Sequence, residues 1–428
     1  MRNLKKAIGV LLLGTSLTFL PVAHAEVMTY EGTGEYIMSD FETPDIAKQR
    51  AKVRAEQHAA EQAGVYVKSY TKTVNHVVEM DEVTAIANTI IKIVDEKYTI
   101  TPTNEVGGSF RVQVTIKAVV DSEKIDNWIN RTYQQNVELV EQNKRLQLER
   151  EKQNKEIEEL RLKLSANHNT QNREEIKKEI IIEDRKFLST QKTKEGLKFF
   201  ERKEYKKALE IFSQAIELNA NNAEAYIGRG NIYANQGYNQ QAISDYNIAI
   251  EIDPNTVVSY VNRGMVYYGQ GDYKRAFDDY NKGIEINPRF SGAYVCRGLV
   301  YNSMNKYREA MEDFNKAIML DPKNPSAYNC RGAAYVNQND YKNAMNDYNK
   351  SIDIAPNDAT PYIGRGAIYS INGDYRRAVE EFSRAINLDD KNAMAYYWRG
   401  ICYTYLKNKA LADKDLGKAR ELGFTGIK

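Results

Sequence analysis

The sequence predicts a mainly α-helical chain: an α-solenoid of seven stacked helix hairpins, preceded by a small α+β domain and a helical stalk. Three observations predict it. A motif of 34 residues recurs in phase from Ser189 to Phe424. The stretch 127–164 is charged and free of Gly and Pro. Residues 26–126 alternate β-rich runs with one Ala-rich stretch of helical period.

The chain starts with MRNLKKAIGVLLLGTSLTFLPVAHA, a basic head, an apolar middle and Ala23-His24-Ala25 at the end. This reads as a secretory signal, 1–25, cleaved in the mature protein. No Cys stands near the cleavage point, so no lipid anchor is expected there. With 60 Lys and Arg against 58 Asp and Glu, the whole chain carries +2, and the mature chain about −1. A near-neutral chain without a basic block does not point to nucleic acid. No second long apolar run offers a transmembrane segment after signal cleavage. The expected location is periplasmic or secreted.

Residues 26–126 read as a small α+β envelope domain. YEGTGEYIM is strand-like. Pro44 opens a helix in which Ala47, Ala51, Ala55 and Ala59 recur every four residues, a flat face suited to a sheet. Gly64 is expected to end it. VYVKSYTKTVNHVV reads as strand, and DEVTAIANTIIKI as a short helix leading into a strand. KYTITPT and SFRVQVTIKAVV read as a hairpin across Glu105-Val106-Gly107-Gly108. Through Gly-x-Gly-Glu, AAEQAGVYVKS and FRVQVTIKAVVD this segment resembles the N-terminal domains of flagellar assembly protein T and of envelope lipoproteins. The resemblance covers about 100 residues and implies an envelope, assembly-associated role.

The connector, 127–188, is helical in composition. In a heptad frame Ile129, Leu139, Leu146, Ile157, Leu160 and Leu164 form a seam, interrupted by Thr132, Asn136, Asn143, Arg150 and Gln153. A coiled-coil homodimer and a lone solvated helix both fit such a broken seam. SANHNTQN, 165–172, reads as a flexible break before REEIKKEIIIEDRKFL resumes the helix.

The seven units are 189–222, 223–256, 257–290, 291–324, 325–358, 359–392 and 393–426. Counting places from the first residue of a unit, the fourth is Tyr226 to Tyr396 and the eighth Gly230 to Gly400. The eleventh is Tyr233 to Tyr403, the twentieth Ala208 to Ala412, and the twenty-fourth aromatic until Leu416. Places four, eight and eleven share one helical face, and twenty, twenty-four and twenty-seven share another. Loops such as QGDY join the two helices, and Pro254, Pro288, Pro322 and Pro356 stop the second. One hairpin cannot bury both faces, so the hairpins must stack. The pattern Tyr-x-x-Arg-Gly-x-x-Tyr resembles the tetratricopeptide repeat over 189–426. The resemblance implies a right-handed superhelix with a concave groove, lined by the first helices, that takes peptides or protein surfaces. In the last unit Lys407 and Lys409 replace the loop Gly and Tyr, and ALADKDLGKARELG is polar, as expected of a cap.

No catalytic grouping is found, so no enzyme activity, metal or cofactor is expected. His58, His76 and His168 have no metal-ligand spacing, and no phosphate loop or nucleophile motif occurs. Cys296, Cys330 and Cys402 read as small buried side chains. A repeated pair does recur. Arg229, Arg263, Arg297, Arg331, Arg365 and Arg399 stand at the seventh place; Asp245, Asp279, Asp313, Asp347, Glu381 and Asp415 stand at the twenty-third. The first unit carries Glu195 and Ile211 instead. These pairs are expected to form a structural ion-pair ladder joining the two helices of each hairpin. The alternative is an Arg ladder for acidic ligands. The expected partner groove is uncharged: Ile227, Asn231, Val261, Met265, Tyr268, Val295, Leu299, Asn302, Asn329, Val336, Ile363, Ile371, Tyr397, Ile401 and Tyr405. A neutral trough of this kind suits an extended peptide or another envelope protein. The expected function is a non-catalytic protein–protein interaction scaffold of a bacterial-type cell envelope. Alternatives are an oligomerising envelope or flagellar assembly factor and an accessory subunit of an envelope enzyme.

Overall fold

A computed structural model describes residues 27–38, 42–73, 87, 91–103, 110–121, 148, 152–166 and 169–424. The chain divides into two compact units, 1–129 and 130–428.

In the first unit, β1 (Val27–Met38), helix α1 (Pro44–Thr73), β2 (Lys92–Pro102) and β3 (Phe110–Asp121) follow one another. The sheet is antiparallel in the order β1-β3-β2. Ala47, Ala51, Ala55 and Ala59 are fully buried against Tyr36, Val112, Val114, Ile116 and Ala118. Gly32 and Gly34 explain how close the helix comes. A Cβ on either would stand 2.0 Å from a carbonyl oxygen, that of Ala55 or Ala51. The Gly-x-Gly of the strand and the Ala-every-four of the helix are two halves of one contact.

Helix α1 does not end at Gly64. It runs on to Thr73, so VYVKSYTKT is helical rather than strand. Ala63, Gly64 and Val67 are buried, so packing against the rest of the unit holds a stretch whose β-branched residues favour a strand. The rest of the expected strand, 74–78, lies outside the described residues. So do most of the expected short helix and the turn Glu105–Gly108 that joins the paired strands β2 and β3.

The second unit is helical throughout its described residues. Helix α2 (152–166) turns back onto helix α3 (Thr170–Glu201). Arg173 Nη1 donates to the Leu164 carbonyl at 2.7 Å at one end, and Gln153 Nε2 to Thr190 Oγ1 at 3.1 Å at the other. The two helices therefore form an antiparallel hairpin. Ile157, Leu160 and Leu164 are buried within this one chain, so the last three of the six expected seam residues are used internally. The remaining seam positions Ile129, Leu139 and Leu146 lie outside the described residues. Of SANHNTQN, residues 165 and 166 still belong to α2, Asn169 caps α3 by accepting from the Gln171 and Asn172 N–H groups, and Thr170 starts that helix, while 167 and 168 lie outside the described residues.

The 32 residues of α3 run without interruption into the first unit of the repeat and supply its first helix. After it come Tyr205–Leu218 and then six regular pairs, from Ala223–Asn235 with Asn239–Ile252 to Ala393–Tyr405 with Lys409–Glu421. First helices have 13 residues and second helices 14, the last having 13. Place fifteen, in the turn between them, has φ from 58° to 79° in all seven units. It is Gly in three, and Asn305, Asn339, Lys203 or Lys407 in the others. Each second helix packs on the next first helix, and successive first helices pack more closely than successive second helices do. The stack therefore curves with its first helices on the inner side.

Candidate functional site

Place eight is where each hairpin closes. A Cβ on Gly196, Gly230, Gly264, Gly298, Gly332 or Gly366 would meet the ring at place twenty-four of the same unit at 2.6–2.9 Å. At Gly400 the group met is Leu416, at 2.9 Å. Place six of the next unit reaches the same ring from the other side, and at Gly228 and Gly364 a Cβ would meet it at 2.4 Å. One aromatic ring thus fills the gap between three helices. Cys296 and Cys330 also occupy place six, and burial pushes both thiols up to about 12. All three cysteines are free.

The Arg and acidic residues of places seven and twenty-three meet within each unit. Nε and Nη2 of the six arginines lie 2.5–3.1 Å from the carboxylate oxygens of Asp245, Asp279, Asp313, Asp347, Glu381 and Asp415. The five Asp pairs are forked; Arg365 places both nitrogens on one oxygen of Glu381, whose other oxygen accepts from Arg384. Sequence reading missed the third partner. Each Nη1 reaches place twenty-five of the preceding unit: Ser213, Asn247, Asn281, Asn315, Asn349 or Ser383, at 2.6–3.5 Å. The guanidinium carbon also lies 5.4–5.7 Å from the place-four ring. Its signal was the Asn or Ser 16 residues before every Arg. The hydrogen bonds that they donate to Asp hold the Arg229, Arg263, Arg297 and Arg331 guanidinium groups above their ordinary range. With Nε, Nη1 and Nη2 all engaged inside the protein, the ladder offers no open fork to an acidic ligand.

The expected groove residues divide into two sets. Ile227, Val261 and Val295, all at place five, are buried among neighbouring helices. They are core and leave no surface for a partner. Ile363 packs into the clusters around Phe382 and Ala385, and Tyr397 lies 4.5 Å from the Phe424 ring. The available surface lies further along the first helices. Met265, Ile371 and Tyr405 are more than half exposed. Asn231, Tyr268, Leu299, Asn302, Asn329, Val336 and Ile401 are half-buried. Asn231 Oδ1 accepts from Tyr246 Oη at 2.7 Å and Asn262 Nδ2 at 2.9 Å. Tyr268 Oη and Ser303 Oγ are 2.8 Å apart, and Asn337 Nδ2 donates to Asn302 Oδ1 at 3.2 Å. The Asn231–Asn262, Tyr268–Ser303 and Asn302–Asn337 bonds link the first helices of units two to five across the inner surface. At the rim, Tyr405 stacks on Tyr375 at 4.5 Å with rings within 2° of parallel.

Among the described residues no three His, Cys, Asp or Glu side chains gather as a metal site. No helix there is long and apolar enough to cross a membrane.

An array of in-phase hairpins with a neutral inner face defines a helical-repeat protein. Family profiles agree with that class. The profile described as TPR repeat matches 196–237, 230–271 and 298–339. Those described as tetratricopeptide repeat match 257–290, 325–358 and 371–419. The C-terminal region is thus a solenoid of helix hairpins that tetratricopeptide-repeat profiles match over 196–290, 298–358 and 371–419. Among solved structures, a tetratricopeptide repeat protein from Parabacteroides merdae is 24% identical, with TM-score 0.46, covering 55% of this chain and 94% of its own. A thermophilic repeat protein from Thermus thermophilus is 20% identical, with TM-score 0.37, covering 39% and 92%. YrrB, described as a repeat protein with an unusual peptide-binding site, is 22% identical, with TM-score 0.31, covering 43% and 95%. No curated protein matches the chain.

Proposed function

We propose that this protein is a non-catalytic scaffold of the cell envelope that holds an extended peptide, or an extended segment of another envelope protein, along the inner surface of its repeats. One observation carries the reading: the exposed part of that surface, around Met265, Tyr268, Ile371 and Tyr405, is apolar, aromatic and without charge. Such a surface binds by side-chain burial and amide hydrogen bonds. The envelope location rests on the signal-like first 25 residues and on the resemblance of 26–126 to flagellar assembly protein T.

The test is affinity capture from envelope extracts with the full chain and with its Tyr268→Glu/Ile371→Glu variant. A partner retained by the first and lost by the second, at equal thermal stability, supports the reading. Equal retention by both moves the contact off the inner surface. Location is tested separately, by fractionation and N-terminal sequencing of the mature protein. A chain found uncut in the cytoplasm sinks the envelope assignment.

A further inference from the structure

The charges flanking the inner surface specify its occupant. Each unit has two edges. One is the turn between its helices, places fourteen to nineteen, where the seven units carry thirteen Lys and Arg against five Asp and Glu. The other is the end of the second helix with the loop to the next unit, places twenty-nine to thirty-four. There the first six units carry nine Asp and Glu against three Lys and Arg. The edges lie at opposite ends of the first helices, roughly 20 Å apart at the rise of an α-helix. A neutral, partly aromatic surface is thus bounded by a basic margin on one side and an acidic margin on the other.

Part of the basic margin is already committed. Lys207, Arg275 and Arg377 pair with Glu204, Asp272 and Asp374. Lys206, Lys274, Lys342 and Arg376, all at place eighteen, are exposed and form no ion pair within 4 Å among the described residues, although Asp272 feels the charge of Lys274. Three of the acids on this margin are spent on the helices, since Asp272, Asp340 and Asp374 accept the N–H groups of Arg275, Asn343 and Arg377. Place eighteen also borders the apolar rim. Tyr273, beside Lys274, lies 5.5 Å from the Tyr268 ring, and Tyr375, beside Arg376, stacks on Tyr405.

We infer that the occupant is an extended peptide that is acidic as well as apolar, lying across the first helices with its carboxylates toward the turn margin. This rests on the peptide reading of the inner surface and adds the partner's chemistry. In an extended strand successive side chains point to opposite faces, so apolar residues can meet the floor while acidic ones reach the Lys and Arg. Screening over about 8 Å lets a chain one strand wide feel one margin alone. A lipid surface or a duplex nucleic acid is wide enough to span both, and loses at the acidic margin what it gains at the basic one.

The test is a phage-displayed random peptide library panned on the full chain, with the Tyr268→Glu/Ile371→Glu chain as counter-selection. Enriched peptides should interleave Asp and Glu with aromatic or aliphatic residues. A synthetic copy of the leading peptide should bind a Lys274→Glu/Lys342→Glu/Arg376→Glu chain at least about tenfold more weakly, with a shallower salt dependence. These three side chains are exposed and form no close ion pair among the described residues, so the thermal melt should be nearly unchanged; the same positions as Gln provide a milder second set. Peptides without acidic bias, or equal binding to the charge-reversed chain, overturn the inference and leave the peptide reading standing. Failure to enrich any peptide sensitive to Tyr268→Glu/Ile371→Glu overturns both. Capture of phosphatidylglycerol vesicles by the full chain, lost on charge reversal, assigns the margin to a membrane and overturns the inference.

Discussion

Glycine is needed at some places of these repeats and replaceable at others. At place eight it makes room: the Cβ of Gly298→Ala would stand 2.6 Å from the Phe314 ring, whose position is fixed by three helices. Overpacking of that kind costs roughly 1–3 kcal/mol. Gly269 is also helical, yet a Cβ there would meet nothing within 4 Å. Gly269→Ala should therefore stabilise by about 0.5–1 kcal/mol through backbone entropy. Urea midpoints of the two variants should move in opposite directions, and a common direction would refute the packing argument. The place-eight column was legible in the sequence because it repeats. The partner of Gly32 and Gly34 was not, because a lone Gly-x-Gly says nothing of which helix will lie on it. Gly64 misled for a related reason. A glycine at the end of an Ala-rich run looks like a helix stop, and only its burial beside Ala63 reveals the contrary.

At the level of elements, the guanidinium of place seven joins its own two helices to the second helix of the unit before. Replacing Arg297 by Ala leaves Asp313 buried and unpaired, which costs about 3–5 kcal/mol. Replacing both by Leu should recover most of that loss, because the desolvation cost disappears along with the pair. A double-variant midpoint as low as that of the single variant would show that the ion pair itself, rather than the orphaned charge, is what matters. The hairpin of α2 on α3 makes a second prediction. Glu in place of both Ile157 and Leu160 should undock α2. Hydrogen exchange should then quicken in α3 and leave 325–424 unchanged, whereas equal protection along α3 would mean that α2 contributes nothing to it. Sequence gave the seam but not its partner. Heptad spacing records which residues want to be buried and is silent on whether the covering helix belongs to the same chain or to another.

At the scale of the whole repeat array, stability comes from neighbour contacts, so the two ends are special. Place twenty-eight is Ile in six units, Ile216 to Ile386, and Arg420 in the last. That change adds a charge to an end helix that is already polar, while Phe424 folds back onto Tyr397. Arg420→Ile should make the chain associate end to end as concentration rises, seen as a growing sedimentation coefficient. A strictly concentration-independent value would mean that the cap rests on other residues. Period, hairpin count and the capping unit could all be read from the sequence, because each is written several times over or stands out against its copies. What is written once, such as the true length of α1 or the burial of place five in some units only, required three dimensions.

The unbroken rod from Thr170 to Glu201 has a mechanical consequence. It is about 48 Å long, and it has no joint where the hairpin gives way to the first repeat. A pull or twist applied near Thr170 therefore arrives at Ser189 undiminished, since bending the rod there would break backbone hydrogen bonds. The spiral is held by a handle rather than a tether, and whatever grips that handle also sets the orientation of the spiral's first turn.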